Sequence, residues 1–305
     1  MIRKSQFSIA AKGWFKDGRN VIAEAQSSVG QGISAQDAIE MAYDLQAGSY
    51  VEAVSVPERQ VQQIAWGRRV AGILDELGVR SACEAGVGEA TTLAHIANAA
   101  GPGTVFSGFD VALSRILYGR DYLRAKGAEA RLFCADLLQI PLAAGAVDAV
   151  ITNHSLEPNG GQEGVMLAEL VRVAARYLVL IEPDFDLAGA EQRERMTRHN
   201  YIRGLPGHLK SFPGRILRHE AWPFCPNPLN KASLIVFEKR HHAPARATFD
   251  FVAPVTKLPL TMAGGFLFCA AEGLLYPMPF GVPVLRDECA IICTHADRFG
   301  RGDGA

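Results

Sequence analysis

The sequence predicts a doubly wound α/β protein with an N-terminal helical cap and a small C-terminal β-rich module. Three observations carry this. Apolar strand patterns and helical patterns alternate between residues 80 and 182, which gives a mostly parallel sheet with helices on both faces. The first strand pattern runs into a turn with two glycines, Gly86 and Gly88, before the next helical pattern begins. The five strand patterns close on polar residues: Glu84, Asp110, Asp136, Asn153 and Glu182. Ligands of such sheets bind at the carboxyl ends of the strands, so these residues mark where a site is expected.

The elements follow in order. The first thirty or so residues are mixed and give no clear pattern. Ser34 is suited to N-cap a helix over 35–45. Pro57 suits the first turn of the next helix, whose apolar face is Val61, Ile64, Ala65, Ile73, Leu74 and Leu77, and Gly78 ends it. Strands are expected over 80–85, 104–110, 131–136, 147–153 and 177–182, with helices over 89–99, up to about 126, and near 162–174. A charged helical insert over 191–203 precedes a strand over 232–238. The basic, proline-containing run 239–246 reads as a linker, 247–296 as short β segments, and the tail 298–305 as disordered. The expected units are therefore a cap (1–58), the doubly wound domain (59–242), and a module with its tail (243–305).

The chain has 305 residues, 49% of them apolar, and a formal net charge of −1. That charge argues against a strong electrostatic grip on nucleic acid. The six cysteines, at 83, 134, 225, 269, 289 and 293, form neither a disulfide framework nor a zinc knuckle. Cys289 and Cys293 lie four residues apart, and no metal is expected there. The first residues are not followed by an apolar signal-peptide core, and no apolar run approaches the roughly 18 residues of a membrane span. A soluble, cytoplasmic protein is expected, with a homodimer as the default assembly.

Two readings compete for the glycine-rich turn. A dinucleotide fingerprint wants a third glycine, where this chain has Thr91, and it does not open on an acid such as Glu84. The second reading rests on Glu84-Ala85-Gly86-Val87-Gly88, on Asp110 ending the second strand, on Asp136 in Ala135-Asp136-Leu137, and on Asn153 ending the fourth. In this order and spacing they resemble the class I S-adenosylmethionine-dependent methyltransferases, over about residues 59–240. The resemblance implies S-adenosylmethionine as cofactor. It implies that Asp110, with Val111 beside it, holds the ribose diol, and that Asp136 and the Leu137 N–H meet the adenine. Gly86 and Gly88 would let the turn approach the ligand, and Glu84 would face the cationic methionine end. N-terminal helices often cover the cofactor in this family, which brings in Tyr43, Gln46 and Tyr50; ordinary packing on the sheet is the alternative for them.

A sulfonium donor is already activated, so the protein mainly aligns the acceptor. A base is needed only where the acceptor loses a proton. His154 and Glu157, after the fourth strand, are candidates, with lining of the cofactor pocket as the simpler role for His154. His199 is another, on an insert whose default reading is a solvated face; Arg198 and Tyr201 accompany it. His208 and Glu182 are weaker. The chain lacks the Asn-Pro-Pro-Tyr type motif of methyltransferases that modify amide or adenine nitrogens. The acceptor is accordingly expected to be a small molecule or sugar derivative, with a hydroxyl favoured over an amine. An RNA or protein methyltransferase, a non-catalytic nucleotide-binding protein and a dehydrogenase remain as alternatives.

The runs 251–260 and 272–285 resemble the two halves of the Trm112-like proteins, small zinc-ribbon-like modules that bind and stabilise methyltransferase subunits. At the positions that align with zinc ligands the chain has Ala253, Thr256, Cys269 and Glu272. Structural zinc normally needs four ligands, so a metal-free module is expected, docked on its own catalytic domain.

Overall fold

The computed structural model describes residues 4–25, 29, 30, 32–224, 227–242, 245 and 249–299. The thiol of Cys225, part of the expected linker and the tail from residue 300 lie outside the described residues. The described N-terminal residues form four helices: α1 (Lys4–Lys16), α2 (Val21–Ala25), α3 (Ala35–Leu45) and α4 (Ser49–Ala53). Ser34 caps α3 in a capping box. Its hydroxyl accepts from the Asp37 N–H, and the Asp37 carboxylate accepts from the Ser34 N–H. Helix α5 (Pro57–Glu76) opens on its proline, and the chain leaves it at Gly78.

The doubly wound part follows as β1 (Ser81–Ala85), α6 (Leu93–Ala99), β2 (Val105–Asp110), α7 (Leu113–Lys126), β3 (Arg131–Cys134), β4 (Val147–Asn153), α8 (Glu163–Val173) and β5 (Ala174–Pro183). Then come α9 (Ala190–Arg198), α10 (Leu205–Leu209), β6 (Gly214–Ala221), a 3-10 turn at Pro228–Asn230, and β7 (Ala232–Lys239). The seven strands lie in the order β3-β2-β1-β4-β5-β7-β6. The first five are parallel, and β7 runs antiparallel to both neighbours.

The strand period of two assigns alternate residues to opposite layers. In β5, Val179 and Ile181 pack with α5, α6 and α7, whereas Leu178 and Leu180 pack with α8 and α10. The second core also takes in Ala253, Leu267, Cys269, Tyr276 and Leu285 of the C-terminal segment. By contrast, α1–α3 have a small core of their own around Phe7, Val21 and Ala38.

The C-terminal segment forms a four-stranded antiparallel sheet of β8 (Thr261–Ala263), β9 (Phe266–Cys269), β10 (Leu274–Tyr276) and β11 (Ile291–Ile292), and a last turn, α11 (Ala296–Phe299), follows. It covers the β3 edge of the main sheet. Cys134 donates its N–H to Pro283 O and accepts from the Leu285 N–H, both at 2.8 Å. Phe251 packs edge-on against Phe133 at 5.1 Å, and the Lys257 ammonium reaches Glu169 Oε2 at 2.7 Å. An exposed strand edge is a template for aggregation, and this module removes it.

Four expectations are corrected. The helix expected from 89 begins at Leu93, because Gly86, Gly88 and Ala90 all take left-handed backbone conformations. The charged insert is helical only to Arg198, because the chain reverses at Asn200, whose carbonyl accepts from the Gly160 N–H. Lys239 belongs to β7 rather than to a linker, and its ammonium caps the carbonyls of Val171 and Ala174. Strand β6 was not foreseen; on this exposed edge Arg215, Arg218 and His219 hide the alternation. No helix among the described residues is long and apolar enough to cross a membrane. Among the same residues no cluster of His, Cys, Asp and Glu is arranged to hold a metal ion.

Candidate functional site

A cavity of roughly 340 Å3 opens above the carboxyl ends of β3, β2, β1 and β4, within the size range of small-molecule sites. Glu84, Gly86, Gly88, Asp110, Val111, Asp136, Leu137, Asn153, His154 and Glu157 line it, and Tyr43 and Tyr50 close it from the N-terminal helices. Ala85 does not reach it; its methyl group is buried in the core. His199 does not reach it either, being exposed at the end of α9 with its ring beside Tyr201. Arg198 pairs with Glu194 in solvent. Gln46, Glu182, Tyr201 and His208 likewise stand outside the lining.

The spatial order of the strands sets the order of the acids. Asp136 follows β3, Asp110 ends β2, Glu84 lies in β1, and Asn153 and His154 follow on from β4. Neighbouring strands are about 4.8 Å apart, so the four strand ends span roughly 14 Å. Asp110 accepts from the N–H groups of Gly88 (3.0 Å) and Ala112 (2.9 Å), and burial still holds its pKa above the ordinary range. Asp136 accepts from the Leu138 N–H at 2.8 Å and is raised by burial too. Glu84 differs from both. It is 2% exposed, its Oε2 has no hydrogen-bond partner, and burial pushes its pKa up to about 8. A buried carboxylate oxygen facing a cavity with no donor is costly unless a ligand brings the donor or the cation.

The glycine-rich turn has a steric reason. A Cβ on Gly86 would lie 2.2 Å from the Ser155 Cβ, and the residue holds φ +74°. The loop after β4 therefore passes directly over a position that only glycine fits. Glu182 fixes that loop by accepting from the N–H groups of Ser155 and Leu156, and burial pushes its own pKa up to about 7.

At the far end of the cavity His154 and Glu157 meet, with Nδ1 to Oε2 at 3.1 Å. Burial opposes the charged ring. The hydrogen bond and charge of Glu157, with the charge of Glu182, outweigh it and hold the His154 pKa above the usual imidazole range. Trp66, Gln63, Asn227 and Asn230 complete this end. Sequence reasoning missed these four: α5 shows only its core pattern, and Asn227 and Asn230 lie far along the chain in an irregular loop. Gln63 Oε1 and Asn153 Oδ1 are also buried without partners.

Two more missed residues hold the roof. Arg115, buried under the cap, donates to Tyr43 O at 2.9 Å and stacks its guanidinium on the rings of Tyr43 and Tyr50. Glu89 accepts from the N–H groups of Gly48 and Val51. A second acid inside the glycine-rich turn was the available signal for Glu89.

No protein-family profile matches the sequence, and no curated protein matches it. Solved structures do. The chain is similar to magnesium protoporphyrin IX methyltransferase from Synechocystis PCC 6803 with bound SAH, at 17% identity over 59% of this chain and 84% of that one, with a TM-score of 0.47. It is also similar to a SAM-dependent methyltransferase from Aquifex aeolicus, at 16% identity over 62% and 97% of the two chains, TM-score 0.46. A SAM-dependent methyltransferase from Methanosarcina mazei matches at 14% identity over 52% and 92%, TM-score 0.45.

Proposed function

We propose that this chain is an S-adenosylmethionine-dependent methyltransferase acting on a small, uncharged acceptor. The observation that carries the reading is the buried, partnerless Oε2 of Glu84, set between the acids of β2 and β3 on one side and the His154–Glu157 pair on the other. Such a row fits an adenosyl amino acid laid across the strand ends. Asp136 and the Leu137 N–H would take the adenine, Asp110 the ribose diol, and Glu84 the ammonium. When bound, the cofactor supplies an electrophilic methyl group on a sulfonium.

The chain's own residues have three tasks. Gly86 and Gly88 let the backbone close on the ligand. Tyr43 and Tyr50, held by Arg115, cover it and exclude water. His154, backed by Glu157, takes up the proton that a hydroxyl acceptor loses. No lysine or arginine is among the described residues that line the cavity, which supports an uncharged acceptor over RNA or an anionic metabolite. For the C-terminal segment we propose a metal-free Trm112-like module, with the chain divided at about 58 and 242. The hydrogen bond from Thr256 to Glu272, at two of the four aligned positions, supports it. Five free thiols among the described residues support a reducing, cytoplasmic location.

Titration calorimetry with S-adenosylmethionine and S-adenosylhomocysteine tests the reading. Both are expected to bind, and Asp110→Asn is expected to weaken them by about 1–3 kcal/mol, the scale of a charge-assisted hydrogen bond. Binding of NAD instead, or equal binding by the variant, would remove the cofactor assignment. Binding without turnover across uncharged hydroxyl and amine acceptors would leave a non-catalytic binding protein.

A further inference from the structure

Behind His154, the side chains of Glu157, Asn230, Arg195 and Tyr201 form one chain of contacts. Arg195 of α9 donates from Nη1 to Oδ1 of Asn230 at 2.8 Å and from Nη2 to the Tyr201 hydroxyl at 3.2 Å. Asn230 Nδ2 donates to Glu157 Oε2 at 3.0 Å, and that oxygen lies 3.1 Å from His154 Nδ1. Asn230 Nδ2 also stands 3.3 Å from the same ring nitrogen.

The chemistry of these groups fixes the orientation of the Asn230 amide and the hydrogen on His154 Nδ1. Arginine has no acceptor, so the Asn230 atom that meets it is the carbonyl oxygen. The amide nitrogen must then face Glu157. A carboxylate accepts only, so the His154 nitrogen that touches Glu157 carries a hydrogen. The 3.3 Å contact between Asn230 Nδ2 and His154 Nδ1 then joins two donors, and it is a packing contact rather than a bond. Nε2 is left as the ring nitrogen without a partner among the described residues, on a residue that lines the cavity.

We infer that Asn230 and Arg195 are positioning residues that hold the Glu157 carboxylate against the His154 Nδ1–H, so that neutral His154 keeps that tautomer and its Nε2 lone pair is free for the acceptor's proton. The tautomer follows from the contacts alone, whereas the use of the lone pair rests on the proposed methyl transfer. The groups facing His154 agree with this assignment. Glu157 comes from its own loop, Glu182 from β5 and Arg195 from α9, while Trp66 of α5 presents an uncharged ring at 6.3 Å. His154 also holds φ +52°, a strained backbone conformation that persists only where the surroundings fix it.

The test uses the full-length, ligand-free protein labelled with 15N-histidine. Long-range 1H–15N spectra report tautomer and protonation for each imidazole, and the signal lost in His154→Gln assigns His154. Wild type is expected to show His154 as a single Nδ1–H tautomer once neutral. Arg195→Met releases the Asn230 amide and with it the Glu157 carboxylate, and the Nε2–H form is expected to rise from below about one tenth to about one third or more of the neutral population. Arg195→Lys, which again presents only donors to Oδ1, is expected to restore one tautomer; general loosening would not be rescued so selectively. Asn230→Ala repeats the test should Arg195→Met fail to fold. A wild-type His154 in the Nε2–H form, or a single Nδ1–H tautomer surviving in both Arg195→Met and Asn230→Ala, would overturn the inference. Calorimetry with S-adenosylmethionine separates this outcome from failure of the cofactor reading, because no residue of the relay contributes to the proposed adenosine contacts.

Discussion

Glu89 reaches out of the glycine-rich turn to accept the backbone N–H of Val51 at 2.7 Å, while its other oxygen takes the Gly48 N–H at 3.0 Å. The same turn that lines the cavity floor thereby holds the cavity roof. Apolar packing ties the roof to the main core only through Val51 and Val54, since α1–α3 keep a separate small core. The remaining ties are polar: the Asp44 carboxylate on the Ser114 N–H, Arg115 on Tyr43, and Arg286 on Glu40.

Glu89→Ala is therefore expected to loosen the cap selectively. Two hydrogen bonds to an ionised group are each worth roughly 1.5–3 kcal/mol. Their loss should speed amide exchange at residues 48–54 by at least about tenfold while β1, β4 and β5 keep their protection. Hydrogen-exchange mass spectrometry reads this directly. Unchanged exchange in 48–54 would show that the cap is held by its other ties.

Glu84 predicts a proton count. Its pKa of about 8 leaves it mostly protonated at pH 7 in the ligand-free protein. An ammonium placed against it favours the ionised form, so binding of S-adenosylmethionine should release a proton. Calorimetry in buffers of different ionisation enthalpy should find about half to one proton released per site at pH 7, falling toward zero by about pH 9. Glu84→Gln should abolish the release. Equal release by the variant would place the proton elsewhere.

The same acids give the ligand-free protein a sloping stability profile. Glu84 and Glu182 have folded pKa values, about 8 and about 7, above the ordinary 4.5, so each binds more protons folded than unfolded. Their contribution is complete below about pH 4.5 and is lost as pH rises through those values. Glu169, held down by Arg172 and Lys257 against its own burial, has the opposite sign and loses its contribution only in acid. Stability is expected to peak near pH 5, with Tm falling by roughly 3–8 °C between pH 5.5 and 8.5. Glu84→Gln should flatten that slope. A Tm that rises over this interval would contradict the burial argument.

Much of this arrangement was legible in the sequence, for reasons that can be named. The strands of the parallel core announce themselves because both faces are buried, as in Val179, Leu180 and Ile181. The strand-end acids could be read because each interrupts such a run. What could not be read depends on side chains meeting from far along the chain. Trp66 looks like any core residue of an amphipathic helix, yet it lines the cavity. Asn230 belongs to no periodic pattern, and only the fold brings it to Glu157, 73 positions away. His199 suffered the reverse: it lies in a charged run near the expected lid, but the turn at Asn200 leaves it exposed.

The last prediction concerns the C-terminal module. Arg286 is 3% exposed and pairs with Glu40 of α3 at 2.7 Å, with Glu288 as its second partner. Burial disfavours its charge, and the two carboxylates overcome that and keep it firmly protonated. This ion pair joins the module to the cap, while Phe251, Leu285 and Tyr276 join it to the sheet core. Glu40 is about a quarter exposed and keeps Lys4 at 3.6 Å, and Glu288 is half exposed, so the loss of Arg286 costs its charge-assisted hydrogen bonds, about 1–3 kcal/mol, rather than leaving a buried charge unpaired. Arg286→Met should therefore destabilise the whole chain in one cooperative transition rather than release a detached module. A chain ending at residue 242 would uncover the β3 edge together with Phe133, and it is expected to aggregate on expression. A soluble, monomeric truncation with wild-type affinity for S-adenosylmethionine would show that the module is an appendage and that the main sheet is complete without it.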